Sequence, residues 1–127
     1  MSSYKGKRQR QFPTTVNTTT FVKIYILHLL TEKHYYGNEL KDEISKRVDY
    51  KWSPSPGMIY PLLRDLESES YIEGWWEEPT KRSIRRYKIT DKGIKHYNNI
   101  AIKYRSSFDD SLTVIKSVLK DIYNENF

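Results

Sequence analysis

The sequence predicts a mainly α-helical chain with one small β-hairpin and a long C-terminal helix, and three features predict it. Apolar residues recur at three- and four-residue intervals through most of the 127 residues. Tyr71–Glu78 is instead rich in aromatics and Arg85–Thr90 alternates with a period of two, and the last third carries a heptad-like apolar stripe. A chain of this length fits one domain with an appendage.

Composition excludes several classes of chemistry. There is no Cys, hence no disulfide framework and no thiolate metal site. His28, His34 and His96 stand far apart in the chain, without an acidic partner at useful spacing. No nucleophile–base pair, metal cluster or phosphate-binding glycine loop is visible, so neither an enzyme nor a cofactor is expected. No apolar run reaches the ~20 residues a bilayer span needs. The basic N-terminus leads into Thr and Asn, which argues against a signal peptide and for a cytoplasmic setting.

Taken in order, residues 1–19 read as a flexible basic arm, polar and aperiodic, with Thr14, Thr15 and Thr18–Thr20. The first helix is expected over Phe21–Thr31, where Phe21, Ile24, Tyr25, Leu27, Leu29 and Leu30 leave little polar face and place it centrally. His34-Tyr35-Tyr36-Gly37 supplies a turn. A second helix runs to Arg47, capped by Asn38 or beginning as early as Tyr36, with Tyr36, Leu40, Ile44 and Val48 as its buried stripe.

Residues 49–54 form a loop, and Ser53-Pro54-Ser55-Pro56-Gly57 announces the third helix. Ser55 caps it and Pro56 occupies the first helical position, where a missing N–H costs nothing. Ile59, Leu62, Leu63 and Leu66 define its inward face, leaving Ser55, Met58, Tyr60, Arg64 and Asp65 to compete for outward positions. Pro61 is anomalous inside a helix, but the carbonyl it opposes belongs to Gly57.

Two strands follow, Tyr71–Glu78 and Arg85–Thr90, with Tyr87 and Ile89 sharing a face with Ile72. Three helices and a hairpin make the winged form of helix-turn-helix organisation, with helix three as reader and the hairpin as wing. Net charge is +6 and concentrated in two places: Lys5, Lys7, Arg8 and Arg10 in the arm, and Lys81, Arg82, Arg85, Arg86 and Lys88 in the hairpin. That is the electrostatic footprint of a polyanion binder.

The residues then become specific. Tyr36-Gly37 with Glu39-Leu40, the run from Ser55 to Glu67, Tyr71-Ile72-Glu73, and Arg86-Tyr87-Lys88-Ile89-Thr90-Asp91-Lys92-Gly93 together resemble the PadR family of bacterial transcriptional regulators over roughly residues 21–104. The resemblance implies a winged helix-turn-helix domain, a dimerising helical region, and promoter repression relieved by a small molecule. It places the family's helix-three start on Ser55, Gly57, Tyr60 and Pro61, and its duplex-facing wing tip on Lys81, Arg82 and Arg85. Three departures stand out: a wing tip of Pro79-Thr80-Lys81-Arg82-Ser83 where relatives are often glycine-rich, a doubled Trp75-Trp76, and a longer basic arm.

The resulting domain expectation is an arm over 1–19, a DNA-binding domain over 20–92 and a helical dimerisation region over 93–127. Ile94, Tyr97, Ala101, Tyr104, Phe108, Leu112, Ile115, Leu119 and Ile122 are spaced 3, 4, 3, 4, 4, 3, 4 and 3, a heptad pattern with one stutter. A helix from Asp91 to about Asn124 would reach roughly 50 Å. It overhangs the winged core, so Phe108, Leu112, Ile115, Leu119 and Ile122 are expected to meet a second copy of the chain. A break near Asp109-Asp110-Ser111 would leave that expectation intact.

A two-fold dimer would read a palindromic or near-palindromic duplex. The expected DNA-facing set is Lys7, Arg8, Arg10, Tyr36, Ser53, Ser55, Gly57, Met58, Tyr60, Arg64, Lys81, Arg82 and Arg85. Arg64 either reaches guanine or pairs with Asp65 or Glu67. Trp75, Trp76, Tyr97, Tyr104 and Phe108 either line a site for a planar aromatic effector or fill the wing junction and interface. The alternatives to a repressor are an architectural DNA binder and a protein-interaction adaptor.

Overall fold

The computed structural model describes residues 16–77 and 85–126. The elements run α1 (Thr18–Glu32), β1 (Tyr35–Tyr36), α2 (Gly37–Arg47), α3 (Pro56–Ser68), β2 (Ile72–Trp76), β3 (Arg85–Ile89), α4 (Asp91–Lys103) and α5 (Arg105–Tyr123). This is the mainly helical, winged helix-turn-helix architecture that the periodicity predicts. The described residues fall into two compact units, Thr18–Ala101 and a unit holding residues 102–126.

Helix α1 is the centre of the first unit. It buries Val22, Ile26, Leu27, Leu29 and Leu30 and packs on α2, α3 and β3. A helix apolar on several sides can satisfy them only by being surrounded. It starts at Thr18, so Thr18–Thr20, read from the sequence as arm, form its first turn.

Helix α2 takes the earlier of its two expected starts. The Tyr36 N–H donates to Glu39 Oε1 at 2.8 Å, half of a capping box that fixes the first turn at Gly37 and leaves Asn38 inside the helix. At the other end, Arg47 bonds Glu43 at 2.9 Å and Glu32 at 2.7 Å, tying the ends of α2 and α1 together.

Helix α3 matches its sequence signals closely. Ser55 occupies the N-cap position, although its side chain makes no capping hydrogen bond, Pro56 sits at the first position, and Ile59, Leu62, Leu63 and Leu66 are buried. The Ser55 carbonyl accepts from the N–H groups of both Met58 and Ile59 at 3.0 Å, and the helix continues through Pro61.

The wing is a three-stranded antiparallel sheet in the order β1-β3-β2. Ile72 pairs with Ile89 and Gly74 with Tyr87, so Ile72, Tyr87 and Ile89 share a face as expected. Strand β1 corrects the sequence reading of Tyr35 and Tyr36 as turn: they pair with Tyr87 and Arg86. Two residues are too short to show a period, and only the free edge of β3 makes them a strand.

Between sheet and α4, the Thr90 hydroxyl donates to the Ser70 carbonyl at 2.6 Å and accepts from the Gly93 N–H at 3.0 Å. Gly93 is needed for packing. A Cβ there would lie 2.7 Å from Ile89 Cγ1 and run into the Tyr71 carbonyl.

The single C-terminal helix expected over 91–124 is two helices. They part at Tyr104 rather than at Asp109–Ser111. The acidic pair stays helical because Arg105 Nε donates to Asp109 at 3.2 Å, while the Thr113 hydroxyl caps the Asp109 carbonyl at 3.0 Å. Among the described residues no helix is long and apolar enough to cross a membrane, and no group of three or more His, Asp or Glu side chains is placed to hold a metal ion.

Candidate nucleic-acid interface

The outer face of α3 follows from the same geometry that buries its inner one. With Ile59, Leu62, Leu63 and Leu66 committed to the core, a 3.6-residue repeat turns Gly57, Pro61 and Arg64 away from it. Ser55, Gly57, Tyr60 and Arg64 are exposed, Tyr60 by 39%. Met58 is half-buried and packs against the core, so it presents only part of its side chain. Ser53 is exposed in the loop before the helix, which the buried Pro54 anchors.

Gly57 owes nothing to protein packing. A Cβ added there would meet nothing nearer than Ser55 Oγ at 3.9 Å. The bare backbone at this turn therefore faces open space, which suits the close approach of an outside partner.

The electrostatics separate Arg64 from Arg85. Arg85 donates to Glu67 Oε2 at 2.6 Å, and the same oxygen accepts from the Gly74 N–H at 3.1 Å. The Arg85 guanidinium also lies 4.9 Å from the centre of the Trp76 ring. Glu67 thus joins α3 to β2 and β3 and holds Arg85 inward. Arg64 keeps no acidic partner among the described residues, since Glu67 is already engaged with Arg85. Of the two roles open to Arg64 in the sequence, pairing with Glu67 is the one this arrangement removes.

Tyr36 is drawn into a second strut. Its phenol donates to Glu77 Oε2 at 2.9 Å, and Arg86 donates to the same oxygen at 2.6 Å while lying 4.0 Å above the Tyr36 ring. Arg86, then Tyr36, hold the Glu77 carboxyl below its ordinary range. Tyr87, at the base of the sheet, has its phenol pushed up by burial.

Between α3 and the wing lies a cleft of about 440 Å³. Gly37, Asn38, Tyr60, Arg64, Glu67, Trp76, Arg85 and Tyr87 line it. Sequence reasoning did not place Asn38 or Trp76 beside the reading helix. The signal for Trp76 was the period of the strand, which sends it to the side of Gly74 and Ile72.

The aromatic residues proposed for an effector are not gathered in the first unit. Trp75 and Trp76, as strand neighbours, take opposite faces. Trp75 packs edge-on against His34 at 5.4 Å, whereas Tyr97 donates to or accepts from His28 Nδ1 at 2.7 Å. Tyr104 and Phe108 belong to the second unit. Lys7, Arg8, Arg10, Lys81 and Arg82 lie outside the described residues.

The second unit carries its own surface. Helix α5 buries no residue, and Phe108, Leu112, Ile115 and Ile122 are exposed by 39%, 51%, 49% and 65%. With half-buried Leu119 they line one side of the helix.

Comparison with known proteins supplies the family. The model of the transcriptional regulator PadR-like family matches residues 26–99. The chain is 32% identical over 90 residues to a transcriptional regulator of Escherichia coli, YqjI, covering 71% of this chain and 40% of that protein. This chain therefore spans well under half the length of that curated relative. Among solved structures it resembles a transcriptional regulator from Clostridium thermocellum, with a TM-score of 0.62 and 28% identity over 82% of this chain and 90% of the other. It also resembles Bacillus subtilis PadR in complex with operator DNA, with a TM-score of 0.54 and 26% identity over 62% and 45% of the two chains.

Proposed function

The chain belongs to the transcriptional regulator PadR-like family, and from that premise we propose that it is a sequence-specific double-stranded-DNA-binding repressor acting as a homodimer. The observation that carries this reading is the outer face of α3: bare at Gly57, with exposed Tyr60 and with Arg64 unpaired among the described residues, beside a wing whose tip sequence holds Lys81 and Arg82. The function is one of binding rather than catalysis.

Helix α3 enters the major groove, Tyr60 and Arg64 meet base edges and phosphates, and the wing lies alongside. Two such units related by the α5 stripe read half-sites about 34 Å apart, hence a palindromic or near-palindromic operator. The arm, through Lys7, Arg8 and Arg10, enters an adjacent minor groove. Occupancy of a promoter by the dimer excludes polymerase, which is repression. Release by a planar aromatic compound is the finer part of the proposal. Since Trp75 and Trp76 face apart, such a ligand would engage one indole and not both.

Footprinting on the DNA upstream of the protein's own gene tests this reading. A regulator should prefer a defined site over random duplex by ~10³-fold or more. Uniform binding would instead identify an architectural protein, and no binding an adaptor. A loss of tryptophan emission on adding a panel of planar aromatics, together with release of the duplex, would support the effector step; an unchanged signal across the panel would remove it.

A further inference from the structure

The doubled tryptophan is a sequence feature that neither the core nor the reading helix absorbs. Strand alternation divides the pair. Trp75 turns to the His34 side, while Trp76 turns toward α3 and forms a wall of the 440 Å³ cleft there. It remains 38% exposed although Arg85 packs over it, and Tyr60 lines the same cleft with 39% exposure. Arg64, in the same cleft, is a cation without a partner among the described residues. Large aromatic rings and the Arg64 cation lining one cleft suit a ligand that is itself apolar and anionic by turns.

The geometry points to Trp76 as a DNA-contacting residue: the α3–wing cleft receives the sugar–phosphate strand leaving the major groove, with a deoxyribose against the Trp76 indole and its phosphate toward Arg64. This rests on the DNA-binding function proposed above and deepens it by naming what fills the cleft. Part of the cleft lining is already tied together before DNA arrives. Glu67 ties Arg85 and Gly74 to α3, and the Arg85 guanidinium packs over the Trp76 ring at 4.9 Å. A preformed channel binds without the cost of ordering its walls. Because the contact is to sugar rather than to a base, it adds affinity with little sequence preference.

The test uses the full chain with Trp52→Phe and Trp75→Phe, which leaves Trp76 as the only tryptophan. Adding operator duplex should shift its emission to the blue or quench it. Trp76→Ala should weaken specific and random duplexes alike by about tenfold, the loss expected when a large apolar contact surface is deleted, with the salt slope unchanged. Arg64→Ala should lower that slope by about one. Trp76→Phe retains a ring and should recover part of the affinity, and thermal melts establish that each variant is folded.

If Trp76→Ala binds both duplexes as the parent does while the Lys81, Arg82 double variant is weakened, the Trp76 contact is wrong and the DNA-binding function stands. If DNA leaves the single-tryptophan emission unmoved but a planar aromatic compound quenches it and displaces the duplex, the cleft is a small-molecule site and the proposal fails. If the parent protein binds no duplex, the function itself fails and takes this contact with it.

Discussion

Glu67 and Arg85 meet at 2.6 Å across the junction of reading helix and wing. Both side chains are less than one-third exposed, at 32% and 25%, and Glu67 also accepts from the Gly74 backbone. The pair fixes the wing's position relative to α3 and at the same time withdraws Arg85 from solvent. Glu67→Gln should lower stability by ~1–2 kcal/mol in urea denaturation, as expected for a charge-assisted hydrogen bond at partial exposure. It should also free Arg85, strengthening random-duplex binding and narrowing the preference for the operator. An unchanged urea midpoint would show that the wing is held by its apolar face alone.

Gly57 separates folding from binding at a single position. Because a Cβ there meets only Ser55 Oγ at 3.9 Å, Gly57→Ala should leave stability equal or raise it by up to ~1 kcal/mol through helix propensity. Gly57→Leu should keep the fold yet reduce operator affinity by tenfold or more, because the new side chain stands where the duplex would approach. Gel-shift titration beside a thermal melt checks both. Full affinity in the leucine variant would place the DNA on another face.

Charge at the wing tip and chemistry on α3 should have different signatures. Replacing Lys81 and Arg82 together should weaken specific and random duplexes alike and reduce the salt slope by about two. Tyr60→Phe should alter operator preference with the slope unchanged. Met58 is a less clean probe, because its half-buried side chain packs on the core and its replacement costs stability as well. Titrations at several salt concentrations distinguish these outcomes, and an unaltered slope in the double variant would discard the proposed docking face.

The α5 stripe makes a prediction about mass. Leu112 and Ile115 are each about half exposed, at 51% and 49%, so Leu112→Asp with Ile115→Asp should cost an isolated helix little but should break a dimer. Light scattering at micromolar concentration should read a single chain for the variant and a pair for the parent, and operator affinity should fall with it. A parent protein that is already a single chain would contradict the homodimer.

His96 supplies a pH dependence. It stacks on Tyr71 at 4.0 Å, and its Nε2 is buried with no hydrogen-bond partner among the described residues. Burial first, then Lys23 and Lys92, lower its pKa from the usual value near 6.5. The unfolded chain thus takes up this proton before the folded one does. The contribution to stability is complete above about pH 6.5 and is lost as pH falls through the folded value. Urea midpoints at pH 7.5 and 5 should therefore converge in His96→Gln relative to the parent, and an identical drop in both would assign the acid sensitivity to other groups.

Much of this architecture is written in local sequence. The buried set Ile59, Leu62, Leu63 and Leu66, the Ser55-Pro56 start and the shared face of Ile72, Tyr87 and Ile89 follow from period, capping and alternation, which act between residues a few positions apart. The same local rules placed the apolar stripe on α5. They left the start of α2 open between Tyr36 and Asn38, and they missed the break at Tyr104 because no Gly or Pro marks it.

What the chain's own residues determined, then, is which segments are helix or strand and which side of each is apolar. Only tertiary structure decided that Tyr35 and Tyr36 form a strand, that Glu67 selects Arg85 over Arg64, and that Trp76 rather than Trp75 faces the reading helix. Each of those outcomes depends on two segments far apart in sequence arriving at one place. Ion pairing and edge-strand bonding act over a few ångströms of space, whatever the number of residues between the partners.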